Sequence, residues 1–140
     1  MVRGTRLAWI RLGAAVNDIK ALKPDPDNQI VVGAIVAPAA PYGVIWAPSY
    51  VVSTEVWPQV EHSCGTGTLA YLNPAATQLT TDGSFGDPAV RITQFANAFA
   101  RNVVGSICDA SFAPTMTAIA QKIGQLIGPA CVAGAVQNDA

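Results

Sequence analysis

Charge is what this sequence has least of. Only 12% of its 140 residues are Asp, Glu, Lys or Arg, against roughly 25% in an ordinary soluble domain. Eight basic and nine acidic side chains leave a net charge of −1. No basic field exists to attract phosphate backbones or anionic lipid, so a nucleic-acid partner is not expected. Histidine is nearly missing, with His62 alone, and cysteine is sparse: Cys64, Cys108 and Cys131, none in Cys-x-x-Cys spacing. A four-ligand zinc site would need all four of these residues from three separate segments, so no metal and no other cofactor is expected. Long apolar runs are also missing. The longest, residues 30–40, is interrupted by Gly33 and Pro38 and falls short of the roughly 18 residues a membrane span needs. The start, MVRGTRLAWIRLGAAV, has its apolar stretch broken by Arg11 before a signal-peptide core is complete, so no targeting signal is read there.

What is present is apolar: 51% of the residues are hydrophobic, enough for one domain with one core at this length. Leu12, Val16 and Ile19 recur at helical spacing and predict a helix over residues 5–22. KPDPDNQ breaks it. IVVGAIVA, residues 30–37, is a β-branched run without polar alternation, as expected of a strand covered on both faces. Residues 42–81 show no helical period. YGVIW and YVVSTEV are short-strand candidates paired across APS, and the remainder reads as a long decorated loop. DPAVRITQFANAFA predicts a helix with Asp87 as N-cap, Pro88 in the first helical position and an apolar stripe of Ile92, Phe95 and Phe99. NVVGSIC, residues 102–108, is a second buried-strand candidate. The last helix carries a stripe of Met116, Ile119, Ala120, Ile123, Leu126 and Ile127, closed by Gly128-Pro129. Strand, helix, strand with a covered sheet implies a parallel crossover and an α/β fold: a three-layer sandwich around a partial parallel sheet.

Several short stretches invite a chemical reading. TDGSFGDP contains Asp82-Gly83-Ser84-Phe85-Gly86, close to the Asp-x-Ser-x-Ser pattern of a metal-dependent adhesion site. Hard-oxygen ligands of that kind sit at the carboxyl end of a buried strand, and LNPAATQLTT before it does not read as one. Turn and cap chemistry is the expected reading. EHSCGTGTLA sets His62 two residues from Cys64, the same face of an extended chain, which suits a thiol nucleophile and its base. No Asn or Asp to orient the histidine is evident, and half of a disulfide is the commoner fate of such a cysteine. GTGTLA resembles a nucleotide loop but neither follows a strong strand nor opens a helix. Tyr42, Trp46, Tyr50 and Trp57 cluster in the long loop. They read first as a mini-core tying it down and, alternatively, as an exposed interaction patch. Arg91, in a helix first turn, is expected to be held by an ion pair or a loop carbonyl.

Taken in order, DIKALKPDPDNQIVVGAIVAP, then a cysteine, DPAVRI, GSIC and an amphipathic helix ending in cysteine resemble the C-terminal half of bacterial von Willebrand factor A-like domains. The resemblance runs from Ile19 to about Val132. It leaves residues 1–18 as a short N-terminal segment, 19–132 as a partial domain and 133–140 as a flexible tail. It implies a doubly wound parallel sheet in which QIVVGAIVA and VVGSIC are the last two strands and neighbours. The family's cation-binding members carry Asp-x-Ser-x-Ser after their first strand, and residues 1–28 supply neither that strand nor that signature. The implied function is a non-catalytic protein-interaction module, a truncated domain, of a bacterial exported or cell-surface protein, with a protein partner. The rival reading is a cysteine-dependent hydrolase or transferase using Cys64 and His62.

The architecture also selects a disulfide. A bridge needs Cα atoms within about 7 Å. Cys108 and Cys131 flank a helix of about 15 residues, roughly 22 Å long. Loops after two parallel strands emerge on one sheet edge, so Cys64 meets Cys108. That bond implies an oxidising compartment and an extracellular, periplasmic or cell-surface location. Two lone parallel strands would leave open sheet edges, so self-association, or extra strands from residues 42–56, is expected to relieve them.

Overall fold

The computed structural model describes residues 11–49 and 54–128; Tyr50, Cys131, residues 5–10 of the expected N-terminal helix and the tail lie outside them. The molecule is mixed α/β, with short parallel and antiparallel sheets. In chain order it contains α1 (Leu12–Lys20), α2 (Pro26–Gln29), β1 (Val31–Val36), β2 (Val44–Pro48), β3 (Val56–Val60), β4 (Cys64–Thr66), β5 (Gln78–Thr80), α3 (Val90–Asn97), β6 (Arg101–Ser106) and α4 (Ala113–Ile127).

The central feature is the parallel pair β1–β6, in register from Val31 opposite Arg101 to Val36 opposite Ser106. Both strands come from the two β-branched runs, whose side chains fit a pleated surface. Both α3 and α4 pack against this pair. The approach of α4 is close because of two glycines. A Cβ on Gly33 would stand 2.8 Å from Ile119 Cδ1, and one on Gly105 would collide with Thr115. On the α1–α3 side, Val16, Ala96 and Phe99 are buried, and Phe95 meets Phe99 edge-on at 5.2 Å. Lys20, in the last turn of α1, lies over the Phe99 ring at 5.6 Å, a cation–π placement. Within residues 23–29, expected only to break the chain, Pro26–Gln29 form the one-turn helix α2. Arg101 Nη2 donates to Asn28 Oδ1 at 2.9 Å and Nε to the Asp27 carbonyl at 3.2 Å, fixing that turn to the start of β6.

Four expectations are corrected. The described part of residues 42–81 holds four strands rather than a largely open loop: β2 and β3 pair antiparallel, and β4 and β5 pair parallel. None joins β1–β6, so these strands do not relieve its edges. Asp87 does not cap α3. The N-cap is Ala89, with no side-chain cap bond, because the Asp87 carboxylate is taken by His62. The apolar stripe of α4 is only partly covered: Ile119 packs on Gly33, while Met116 is 54% and Ile127 70% exposed. Ile92 of α3 is exposed as well, and Phe99 is buried beyond the end of that helix.

Candidate interaction surface

The long segment between β1 and α3 is held by covalent and polar ties. Cys64 and Cys108 form a disulfide, with Cα atoms 6.2 Å apart, and both are buried with Ala37. Beside it, Ser106 Oγ donates to Gln78 Oε1 at 2.6 Å and accepts from the Cys108 amide at 3.1 Å. Gln78 Nε2 donates to Asp109, whose other carboxylate oxygen accepts from the Ser106 amide at 3.2 Å. This network joins β5 to the end of β6. Next to it a cavity of about 340 Å³ is bordered by Thr80, Asp82, Ser84 and Asp109. Asp82 closes its own turn there: its Oδ1 accepts from Ser84 Oγ at 2.6 Å and from the Ser84 amide at 3.0 Å. The Ser84 hydroxyl first, then its amide, holds the Asp82 carboxyl below its ordinary value of 3.8. Gly83 adopts φ 82°, a conformation that favours glycine.

His62 acquires the orienting carboxylate that its local sequence lacks. Its Nδ1 is 2.6 Å from Asp87 Oδ1, and its ring stands 4.6 Å from that of Phe85. No local signal could reveal this pair, since 25 residues separate the partners. The Cys64 sulfur is bonded to Cys108 and fully buried, so the structure does not bring a free thiol to His62. GTGTLA leaves β4 through a turn, with the Leu69 amide donating to the Thr66 carbonyl at 2.8 Å, and opens no helix. Arg91 stands exposed in the first turn of α3, outside both ion pairs formed among the described residues.

The aromatic residues do not make a mini-core. Tyr42 is 60% exposed, Trp46 73% and Trp57 54%. Among the described ones Tyr42 stands apart, whereas Trp46 and Trp57 both border a cavity of about 570 Å³ with Val56 and Pro58. Side chains opposite one another in an antiparallel pair share a face. The register places Val44 opposite Val60, Trp46 opposite Pro58 and Pro48 opposite Val56. These six residues make one face of the β2–β3 hairpin, and all six are exposed and apolar. Ile45, Ala47, Trp57 and Gln59 occupy the other face, where Ala47 is buried. Trp57 Nε1 donates to Glu55 Oε2 at 3.1 Å. Tyr42 instead borders a separate groove of about 710 Å³ with Ala39, Pro88, Val90 and Ile92. Val44, Pro48, Val56, Pro58 and Val60 escaped the sequence reading because the inward positions of both strands are mostly apolar too, so alternation gives no contrast.

Among the described residues, no helix is long and apolar enough to cross a membrane, and no three His, Cys, Asp or Glu side chains converge as metal ligands would. Comparison of the chain with protein-family models, curated proteins and solved structures finds no match.

Proposed function

We propose that this chain is a non-catalytic protein-interaction module of a bacterial exported or cell-surface protein, and that it binds its protein partner through the exposed face of the β2–β3 hairpin. One observation carries the reading: six apolar side chains, centred on Trp46, share a face that nothing in the described molecule covers. Contiguous apolar surface of this kind marks interaction sites in soluble proteins, and tryptophan is enriched among the residues that dominate binding energy. The resemblance to the C-terminal half of a von Willebrand factor A-like domain supports the same reading. On that view β1–β6 is the edge of a doubly wound, three-layer sheet, and further strands of the sheet belong elsewhere in the assembly. The buried disulfide supports placement in an oxidising compartment. A hydrolase or transferase using Cys64 would need that sulfur free.

A photo-crosslinking amino acid at Val56, on the apolar face, tests this in intact cells. A crosslink to a second protein species is expected there, absent from the same probe at exposed Gln94 of α3 and abolished by Trp46→Asp. Equal labelling from both positions, or none from Val56, would overturn the reading.

A further inference from the structure

The same hairpin has edges as well as faces, and the two edges differ. The Glu61 amide donates to the Gly43 carbonyl at 2.9 Å, and the Ser49 amide to the Glu55 carbonyl at 2.8 Å. Hydrogen-bonded and non-bonded pairs alternate along an antiparallel ladder. With the observed register, residues 45 and 47 therefore turn their main-chain groups inward to β3. Val44 and Trp46 turn theirs outward, as do Val56, Pro58 and Val60 on the opposite strand, while the Pro48 carbonyl accepts from Gln59 Nε2 at 2.7 Å. On β3 the central outward position is Pro58, which has no N–H and blunts that edge. On β2 the outward amides of Val44 and Trp46 remain, and among the described residues no other strand pairs with them.

We infer that the β2 edge pairs antiparallel with β2 of a second copy of this chain, about a two-fold axis at Ile45. In that register Val44 lies opposite Trp46 of the other copy and Trp46 opposite its Val44. Each of the two pairs exchanges two N–H···O=C bonds, four in all, all from outward-facing groups. Both pairs place a tryptophan against a β-branched side chain on the same face, a favourable cross-strand combination. Charge points to self-pairing rather than to a foreign strand. In a two-fold pairing any charge meets its own kind near the axis, so the edge must be neutral. β2 is VIWAP, preceded by Tyr42 and Gly43 and followed by Ser49, with no charge among them. The lysine that commonly guards an edge against its own copies is missing. Area sets the strength. A stable interface buries about 800 Å² per partner, and a strand of five residues contributes less. The dimer is therefore weak and in exchange. Edge-to-edge pairing leaves the apolar faces uncovered and side by side, so the inference goes beyond the use of that face and does not depend on it.

Sedimentation equilibrium and amide exchange by NMR test it on the full chain. A monomer–dimer equilibrium is expected, with the Val44 and Trp46 amides exchanging about two- to fivefold more slowly at about 1 mM than at about 10 µM, because a hundredfold rise in concentration lowers the monomer fraction of a weak dimer by less than tenfold. The inward amides of Ile45 and Ala47 should show no such dependence. Val44→Pro, which deletes one outward N–H in an extended position, should abolish dimerisation while the melting temperature and circular dichroism stay unchanged. If that variant unfolds, the concentration dependence of the two wild-type amides decides alone. A chain that stays monomeric at about 1 mM, or amides whose exchange ignores concentration, would overturn the inference. The crosslink from Val56 reports separately on the face.

Discussion

Asp82 and Gly86, four residues apart, do different work. Asp82 is exposed, and its carboxyl is held below the ordinary 3.8 by Ser84. The unfolded chain, lacking those bonds, takes up protons first on acidification. The turn's contribution is thus present above about pH 4 and disappears as pH falls through the lower folded value. Ser84→Ala should lower the melting temperature slightly at about pH 6, and the difference from wild type should shrink as pH falls below about 4. Thermal melts across that range measure it; a difference that persists at low pH would show that the serine acts otherwise. Gly86 sits where the chain folds back on the disulfide. Its carbonyl accepts from the Ser63 amide at 2.9 Å, and its amide donates to the Cys64 carbonyl at 3.1 Å. A Cβ there would lie 2.5 Å from Ala37 Cβ and 3.2 Å from Ile107 Cγ2. Gly86→Ala should therefore cost about 1–3 kcal/mol, the range for overpacking a filled site, read by denaturant unfolding. The TDGSFGDP stretch was half legible at this scale. Asp-Gly predicts the turn that Ser84 closes, but Asp87, a good cap by its position before Pro88, is drawn to His62 by tertiary structure that no local rule contains.

Among the elements, legibility followed length and contrast. β1 and β6 lie within two residues of the two β-branched runs, and α4 ends at the expected glycine. β4 and β5 have three residues each, CGT and QLT. Neither carries an apolar period, and they exist because the disulfide and the Gln78–Ser106–Asp109 bonds hold them together. The hairpin was foreseen as strands, but its exposed face was not. That face makes a specific demand on mutation. Val56→Thr and Trp46→Ala remove side chains that are 57% and 73% exposed, so each should change unfolding free energy by no more than about 0.5 kcal/mol, as surface substitutions do. Trp46→Ala should also reduce the yield of the crosslink from position 56. Loss of stability comparable to a core truncation would mean that the face is covered in solution.

For the molecule as a whole, the disulfide is the main long-range tie. It links residues 44 apart, and in the chain-entropy account a closed loop of that length contributes about 3–4 kcal/mol. The double variant Cys64→Ser, Cys108→Ser should lose about that much, measured by urea unfolding under non-reducing conditions. Non-reducing peptide mapping of protein taken from its own compartment should recover the Cys64–Cys108 linked peptide; three free thiols would remove the argument for export. This pairing was legible before any coordinates, because parallel strands deliver their following loops to one edge. The placement of residues 42–81 was not, since segments so poor in periodicity are positioned by their ties.

The disulfide also divides the chain topologically. Residues 64–108 form a covalent ring holding β4, β5, α3 and β6, while β1 and the hairpin hang outside it on a single open strand of polypeptide. A protease cut inside the ring leaves one molecule on a non-reducing gel and two after reduction. A cut between β2 and β3 severs the chain whether or not reductant is added, and it separates the two strands of the hairpin. A protein built this way can be nicked within the ring and keep its apolar face, whereas one cut between β2 and β3 leaves that face held together only by its ladder of hydrogen bonds.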